Sequence, residues 1–154
     1  MLAGAVAGSS GCAGREPAPV FGYTLLDGSQ RSSDQLRGRV VVVNFWATSC
    51  AVCVKGMPAL AARHLGYRDR GLETLAVAMS YDAPASVADF AERRRLPFGV
   101  VIDNTGAIAR SFGGVRLTPT TFVIDKRGRV ARRLLGEPDA EPMQALLERL
   151  LAEA

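Results

Sequence analysis

The stretch from Val40 to Cys53 constrains the fold more than any other part of the chain. It begins with an apolar run, Val40–Trp46, that is rich in β-branched and aromatic residues and is therefore predicted to form a buried strand. Cys50 follows after a short segment, and a stretch of helical character begins there. This order places the sulfur atom of Cys50 at the N-terminus of a helix.

The two cysteines of this stretch, Cys50 and Cys53, stand about one helical turn apart. The unpaired amides and the dipole at a helix N-terminus stabilise a thiolate, the form that attacks disulfides and binds metals. The pair could therefore close a disulfide or share a metal ion. A structural zinc site usually needs four ligands, and only Cys12 and His64 remain as further candidates. On a continuous helix His64 would lie roughly 16 Å beyond Cys53, so dithiol chemistry is favoured and no metal is expected.

Two motifs carry a resemblance to a known family. Phe45–Cys53 resembles the active site of the thioredoxin superfamily, and Leu117–Asp125 resembles the superfamily's cis-proline loop with the strand that follows it. Asn44, Thr48 and the pair Met57-Pro58 resemble the TlpA/ResA-like branch of extracytoplasmic thiol–disulfide oxidoreductases. Two motifs in this order are far more specific than a lone pair of cysteines.

The resemblance implies a mechanism and assigns residues to it. Cys50 is expected to be the exposed nucleophile that forms a mixed disulfide with a partner protein, and Cys53 to be the shielded thiol that resolves it. A cis Pro119 would place the backbone of Thr118 beside Cys50, where a partner chain can pair with it. Trp46 is expected to pack beside the disulfide, to fill the core, or both. No cofactor is implied.

Two positions depart from the family pattern. Thioredoxins often carry a buried Asp where Asn44 stands, and ResA-like members often carry a Glu where Gly56 stands. Both carboxylates are missing here, which leaves the proton acceptor for Cys53 open, with water as one candidate. Glu73 and Asp82 cannot be placed from the sequence.

The resemblance also implies a cellular role. Members of this branch are reductases in an oxidising compartment; their protein substrates include apocytochrome c thiols and copper-site cysteines, and a membrane thiol donor supplies the electrons. An oxidase role is chemically feasible with the same residues. Two alternatives stay open. Thiol peroxidases of related fold use a Thr-x-x-Cys spacing, which Thr48 and Cys50 do not have, and copper-binding assembly factors use Cys-x-x-x-Cys with a distant His.

The first 19 residues differ in character from the rest of the chain. Met1–Gly11 is small, apolar and uncharged, Cys12 follows, and a Pro-containing linker comes next. This order resembles the end of a bacterial lipoprotein signal, in which the cysteine is lipidated. It predicts a leader and linker over residues 1–19, and a periplasmic or otherwise extracytoplasmic domain over residues 20–154 that is anchored only by its N-terminus. The alternative is a disordered leader with an incidental cysteine.

Composition limits the number of domains and the kinds of partner that the chain can have. A chain of 154 residues is long enough to bury the core of one domain. The net charge of +4 comes from basic residues that are mostly scattered, and the 6% of aromatic residues do not interleave with them. Nucleic-acid binding is therefore not expected. A monomer that acts on protein dithiols and disulfides is expected.

Strands and helices alternate along the rest of the chain, which predicts an α/β fold with a central mixed β-sheet flanked by helices on both faces. By resemblance this is the thioredoxin-like fold, and the helix and strand predicted between Pro84 and Ile102 correspond to a TlpA/ResA-type insertion. The predicted strands are Phe21–Leu26, Val40–Trp46, Leu72–Met79, Phe98–Ile102, Thr120–Ile124 and Arg129–Leu135. The predicted helices are Ser33–Gly38, Cys50–Gly66, Ala85–Arg94, Ala107–Phe112 and a closing helix through Met143–Leu151.

Overall fold

The computed structural model describes residues 14–154, so the predictions for Cys12 and for the rest of residues 1–13 lie outside the described residues. Seven strands and four α-helices follow one another in the part described. They are β1 (Gly22–Thr24), β2 (Gln30–Ser32), β3 (Val40–Trp46), α1 (Ala51–Tyr67), β4 (Leu72–Ala78), α2 (Pro84–Arg94), β5 (Gly99–Ile102), α3 (Ala107–Ser111), β6 (Thr120–Ile124), β7 (Val130–Leu135) and α4 (Ala140–Ala152). Short 3-10 helices lie at Ser33–Leu36 and Arg68–Arg70.

A five-stranded mixed sheet in the order β5-β4-β3-β6-β7 organises the domain. β3, β4 and β5 are parallel, whereas β6 and β7 run antiparallel to their neighbours. β3 lies in the middle and every one of its residues is buried, which explains why its sequence is apolar except for Asn44. The predicted central strand and the predicted mixed sheet are therefore confirmed.

The two faces of the sheet carry separate hydrophobic clusters. Alternate residues of β3, beginning with Val40, face a cluster that includes Cys53 of α1, Val87 of α2 and Leu147 of α4. The intervening residues, beginning with Val41, face a second cluster that includes Phe21 and residues of α3. One face is thus covered by three long helices, and the other by a single short helix together with the β1–β2 hairpin.

The N-terminal hairpin differs from the prediction. The predicted strand Phe21–Leu26 is shorter, Gly22–Thr24, and it pairs antiparallel with β2, which the sequence did not indicate. β2 has the sequence Gln-Arg-Ser, with two exposed residues, and it pairs only with β1 in a separate two-stranded sheet. Such a polar segment lacks the apolar alternation by which a strand is predicted.

Arg15 fastens the first described residues to the body of the domain. Its guanidinium donates to the carboxylate of Asp125 at 2.9 Å and to both oxygens of Glu153 at 2.8 Å. These hydrogen bonds lower the pKa of the Glu153 carboxyl below its usual value. Asp125 lies in the turn between β6 and β7, at the end of the sheet opposite to Trp46, because Ile124 pairs with Val41. The N-terminal segment is therefore held at that end.

Candidate active site

The two cysteines of the predicted motif lie at the N-terminus of α1. Cys50 is the N-cap residue, and its Sγ accepts a hydrogen bond of 3.2 Å from the backbone N–H of Cys53. The sulfur thus takes the position of a capping anion, where the free amides and dipole of a 17-residue helix stabilise negative charge. A disulfide joins Cys50 to Cys53, and their Cα atoms are 5.2 Å apart.

The two sulfurs differ in their access to solvent. Cys53 is buried, with 4% of its surface exposed, and packs in the larger hydrophobic cluster. Cys50 is half-buried and lies at the edge of that cluster. A large partner molecule can therefore reach Cys50 but not Cys53.

The loop before β6 forms one wall beside Cys50. The Thr118–Pro119 peptide bond is cis, as predicted. The carbonyl oxygen of Thr118 lies 3.7 Å from Cys50 Sγ, so the predicted placement of this backbone is confirmed as well. Leu117, just before it, is 67% exposed. The exposed Leu117 and the half-buried Thr118, next to the reachable sulfur, form a surface on which an extended peptide can pair.

Comparison with known proteins identifies the family. The model of the AhpC/TSA family matches residues 15–133, most of the chain. The chain belongs to the AhpC/TSA family.

Similar proteins of known activity are thiol–disulfide oxidoreductases. A thiol-disulfide oxidoreductase ResA from Bacillus thuringiensis subsp. konkukian is 34% identical over 133 residues, which cover 86% of this chain and 76% of that protein. ResA from Geobacillus kaustophilus is 37% identical over 131 residues, which cover 85% and 74%. A thiol:disulfide interchange protein from Chlorobium tepidum superposes with a TM-score of 0.82 at 27% identity, covering 91% of this chain and 99% of that one. The chain is thus a thioredoxin-like thiol–disulfide oxidoreductase.

Trp46 of this oxidoreductase belongs to the core. Its side chain has no exposed surface and packs in the same cluster as Cys53, with the ring of Phe90 at 5.2 Å. The predicted role in core packing is confirmed, whereas packing of Trp46 beside the disulfide stays a prediction. Phe90 belongs to α2, so the predicted helix–strand insertion packs against Trp46.

Asp82 positions the segment that leads into Cys50. It is buried in the loop between β4 and α2, and its two carboxylate oxygens accept from the backbone N–H and the hydroxyl of Thr48, each at 2.6 Å. Glu73, the other carboxylate that the sequence could not place, is paired with Val41 at the far end of the sheet. Asp82 therefore ties the insertion to the active-site loop, whereas Glu73 is remote from the cysteines.

A small cavity lies behind Cys53. Asn44 lines it and donates its amide to the hydroxyl of Thr121 at 3.0 Å. Gly56 and Glu137 also line it, and the Glu137 carboxylate lies against the Cα of Gly56. Sequence reasoning missed Glu137, because it lies in the connection between β7 and α4 and no motif links it to the cysteines.

His64 is part of the packing of α1. It is buried and meets the ring of Phe98 edge-on, with 5.8 Å between the ring centres. Burial lowers the pKa of its imidazole, and the effect exceeds the opposing influence of Glu73. Within residues 14–154, no group of three or more His, Cys, Asp and Glu side chains is arranged to hold a metal ion.

Proposed function

We propose that this protein reduces disulfides of partner proteins through the Cys50–Cys53 pair. The observation that supports this is the reachable sulfur of Cys50, which lies next to the carbonyl oxygen of the half-buried Thr118 and is bonded to the buried Cys53. Cys50 attacks a partner disulfide, one partner sulfur leaves as a thiolate, and a mixed disulfide forms. Cys53 then attacks Cys50, which closes the Cys50–Cys53 bond and releases the second partner thiol.

The surface around Cys50 supports a protein partner. Val52, Leu117 and Tyr81 are 49%, 67% and 62% exposed. Val52 lies two residues after Cys50, and Leu117 comes directly before Thr118. Tyr81 comes directly before Asp82, whose carboxylate accepts a hydrogen bond from Thr48 in the active-site loop. Three exposed large side chains in segments that adjoin one sulfur offer apolar contact to a protein substrate.

The direction of transfer is part of the proposal and has a direct test. We expect the reduction potential of the full chain to lie closer to thioredoxin, about −270 mV, than to strong oxidants of the periplasm, about −120 mV. Equilibration of the purified protein with graded ratios of reduced and oxidised dithiothreitol and glutathione measures it. A reduction potential of about −120 mV would contradict a reductase role and indicate an oxidase.

The two alternatives from the sequence, a copper-binding assembly factor and a thiol peroxidase, are tested by the copper content and the peroxide turnover of the same preparation.

We further propose that the protein works outside the cytoplasm, tethered through Cys12, with residues 20–154 as the thioredoxin-like domain and with the preceding linker fastened to it by Arg15. Apocytochrome c thiols or copper-site cysteines are the substrates that the resemblance favours, and a membrane thiol donor would return the electrons. None of the helices described between residues 14 and 154 has the length and apolar composition of a membrane span.

Cys12→Ser is expected to move the protein from the membrane fraction to the soluble extracytoplasmic fraction, because it removes the atom that would carry the lipid. Fractionation of cells that express the native gene, with labelled fatty acid, measures this. Ser10→Ala serves as the matched control. A native protein that stays in the cytosol without lipid label would contradict the tether.

A further inference from the structure

Two charged side chains, those of Arg63 and Glu137, line the cavity behind Cys53. The cavity measures about 20 Å³, and its lining includes Asn44, Cys53, Gly56, Arg63, Thr121 and Glu137. This volume has room for one water molecule. The ionisable groups that face it are the Cys53 thiol, the Arg63 guanidinium of α1 and the Glu137 carboxylate of the β7–α4 connection.

The absence of a side chain at Gly56 allows the Glu137 carboxylate to reach the cavity beside Cys53. A Cβ atom at position 56 would lie 2.9 Å from the carboxyl carbon of Glu137 and closer still to one of its oxygens. Gly56 lies inside α1, where glycine costs about 1 kcal/mol relative to alanine. The absence of a side chain therefore leaves space for the carboxylate of another segment, three residues and about one turn beyond Cys53.

The chemistry at Cys53 requires a proton acceptor. The buried thiol must lose its proton before it can attack Cys50, since the thiolate is the nucleophile. Asn44 donates its amide to Thr121 and has no basic group, and the Arg63 guanidinium is permanently protonated. Among the groups that line the cavity, only the Glu137 carboxylate can accept a proton.

We propose that Glu137 is the proton acceptor for Cys53 when the mixed disulfide is resolved. The proton passes from Cys53 Sγ through a water molecule in the cavity to Glu137, while the bond between Cys50 and the partner sulfur breaks and the Cys50–Cys53 bond forms. The electron pair of the broken bond leaves on the partner thiolate, and Glu137, an exposed residue, returns the proton to solvent. This proposal rests on the proposed function, because it assumes that Cys53 is the resolving cysteine.

Ellman's reagent separates the two steps. The reduced full chain should release thionitrobenzoate once as Cys50 attacks the reagent, and a second time as Cys53 resolves the mixed disulfide. Glu137→Gln is expected to slow the second release at least about tenfold at neutral pH and to leave the first within about twofold. The second rate in this variant should rise about tenfold per pH unit between about pH 5 and 8, a steeper slope than in the unmodified protein, because the thiolate then forms without a carboxylate.

The matched control is Glu141→Gln, which removes the same charge from an exposed residue in the first turn of α4 that does not line the cavity. Both of its rates should equal those of the unmodified protein. An unchanged second release in Glu137→Gln, or an equal slowing in both Gln variants, would overturn the proposal. If the unmodified protein itself gave no second release, the assignment of Cys53 as resolving cysteine would fail instead.

A transplanted carboxylate distinguishes proton transfer from a structural effect. Glu137→Ala should slow the second release as Glu137→Gln does. In that background Gly56→Glu places a carboxylate into the cavity from α1, in the space that Glu137 occupied. We expect the double variant to recover the second rate to within about threefold of the unmodified protein. A double variant with native circular dichroism that stays as slow as Glu137→Ala would overturn the proposal.

Discussion

Cys50→Ser is expected to abolish the reduction of protein disulfides, with turnover of insulin by dithiothreitol falling to the uncatalysed rate. The half-buried Cys50 is the sulfur that a large partner can reach, and the helix N-terminus stabilises its thiolate. Cys53→Ser should also stop turnover, but at a different stage. It should accumulate a mixed disulfide between Cys50 and the partner, since the second sulfur is missing, and mass spectrometry under denaturing conditions measures that adduct.

Ser49→Ala is the matched control for these variants, because Ser49 is the exposed neighbour of Cys50 in the same loop. It should retain insulin reduction within about twofold, as expected for a surface substitution away from specific contacts. Two results would contradict the assignment of roles. One is an adduct that accumulates in Cys50→Ser rather than in Cys53→Ser; the other is equal alkylation rates for the two thiols of the reduced protein at neutral pH.

Asp125→Ala is expected to lower the free energy of unfolding by about 3 kcal/mol at neutral pH. The side chain is buried, accepts from the backbone N–H groups of Arg127 and Arg129 at 2.9 and 3.0 Å, and is paired with the guanidinium groups of Arg15 and Arg129. Alanine removes the acceptor for both backbone groups and both cations. Urea unfolding followed by circular dichroism measures the loss. Asp69→Ala, whose side chain is 93% exposed, should change stability by less than about 0.5 kcal/mol.

The contribution of Asp125 should depend on pH in a stated direction. Burial alone would raise the pKa of its carboxyl, but the hydrogen bonds from Arg15, Arg129 and the backbone outweigh burial and lower the pKa below its usual value. A lowered pKa means that the stabilisation is fully present above the pKa of the unfolded chain, about 3.9, and is lost as the pH falls below it. The difference in stability between the unmodified protein and Asp125→Asn should therefore shrink below about pH 4. A difference in stability that stays constant well below about pH 4 would contradict this account.

The sequence predicted best those elements in which the local residue pattern agrees with the burial in the structure. β3 is apolar except for Asn44 because both of its faces are covered, and its boundaries are as predicted. Cys50 lies at the N-terminus of α1 for the same local reason, since the strand ends and the helix begins within a few residues. The polar strand β2 was not predicted because it pairs with a single neighbour and none of its residues is fully buried.

The parts of the site that the sequence could not reveal are contacts between distant segments. Asp82 reaches Thr48 because β4 lies next to β3 in the sheet, and no motif connects the two residues. Glu137 reaches Gly56 because the turn after β7 brings the chain back over α1. A glycine in place of the family's glutamate indicates that a carboxylate is absent from the helix, but only the fold shows that another segment supplies one.

The contact between Arg15 and Asp125 also determines how the active site would be oriented relative to a membrane if the chain were anchored at Cys12. Asp125 follows Ile124, which pairs with Val41, whereas Cys50 lies beyond Trp46 at the other end of β3. Trp46 lies five residues further along the strand than Val41, a distance of about 17 Å. A lipid on Cys12 would therefore attach the domain by the pole opposite to its disulfide. The cysteines would face away from the bilayer, toward proteins that approach from the aqueous side.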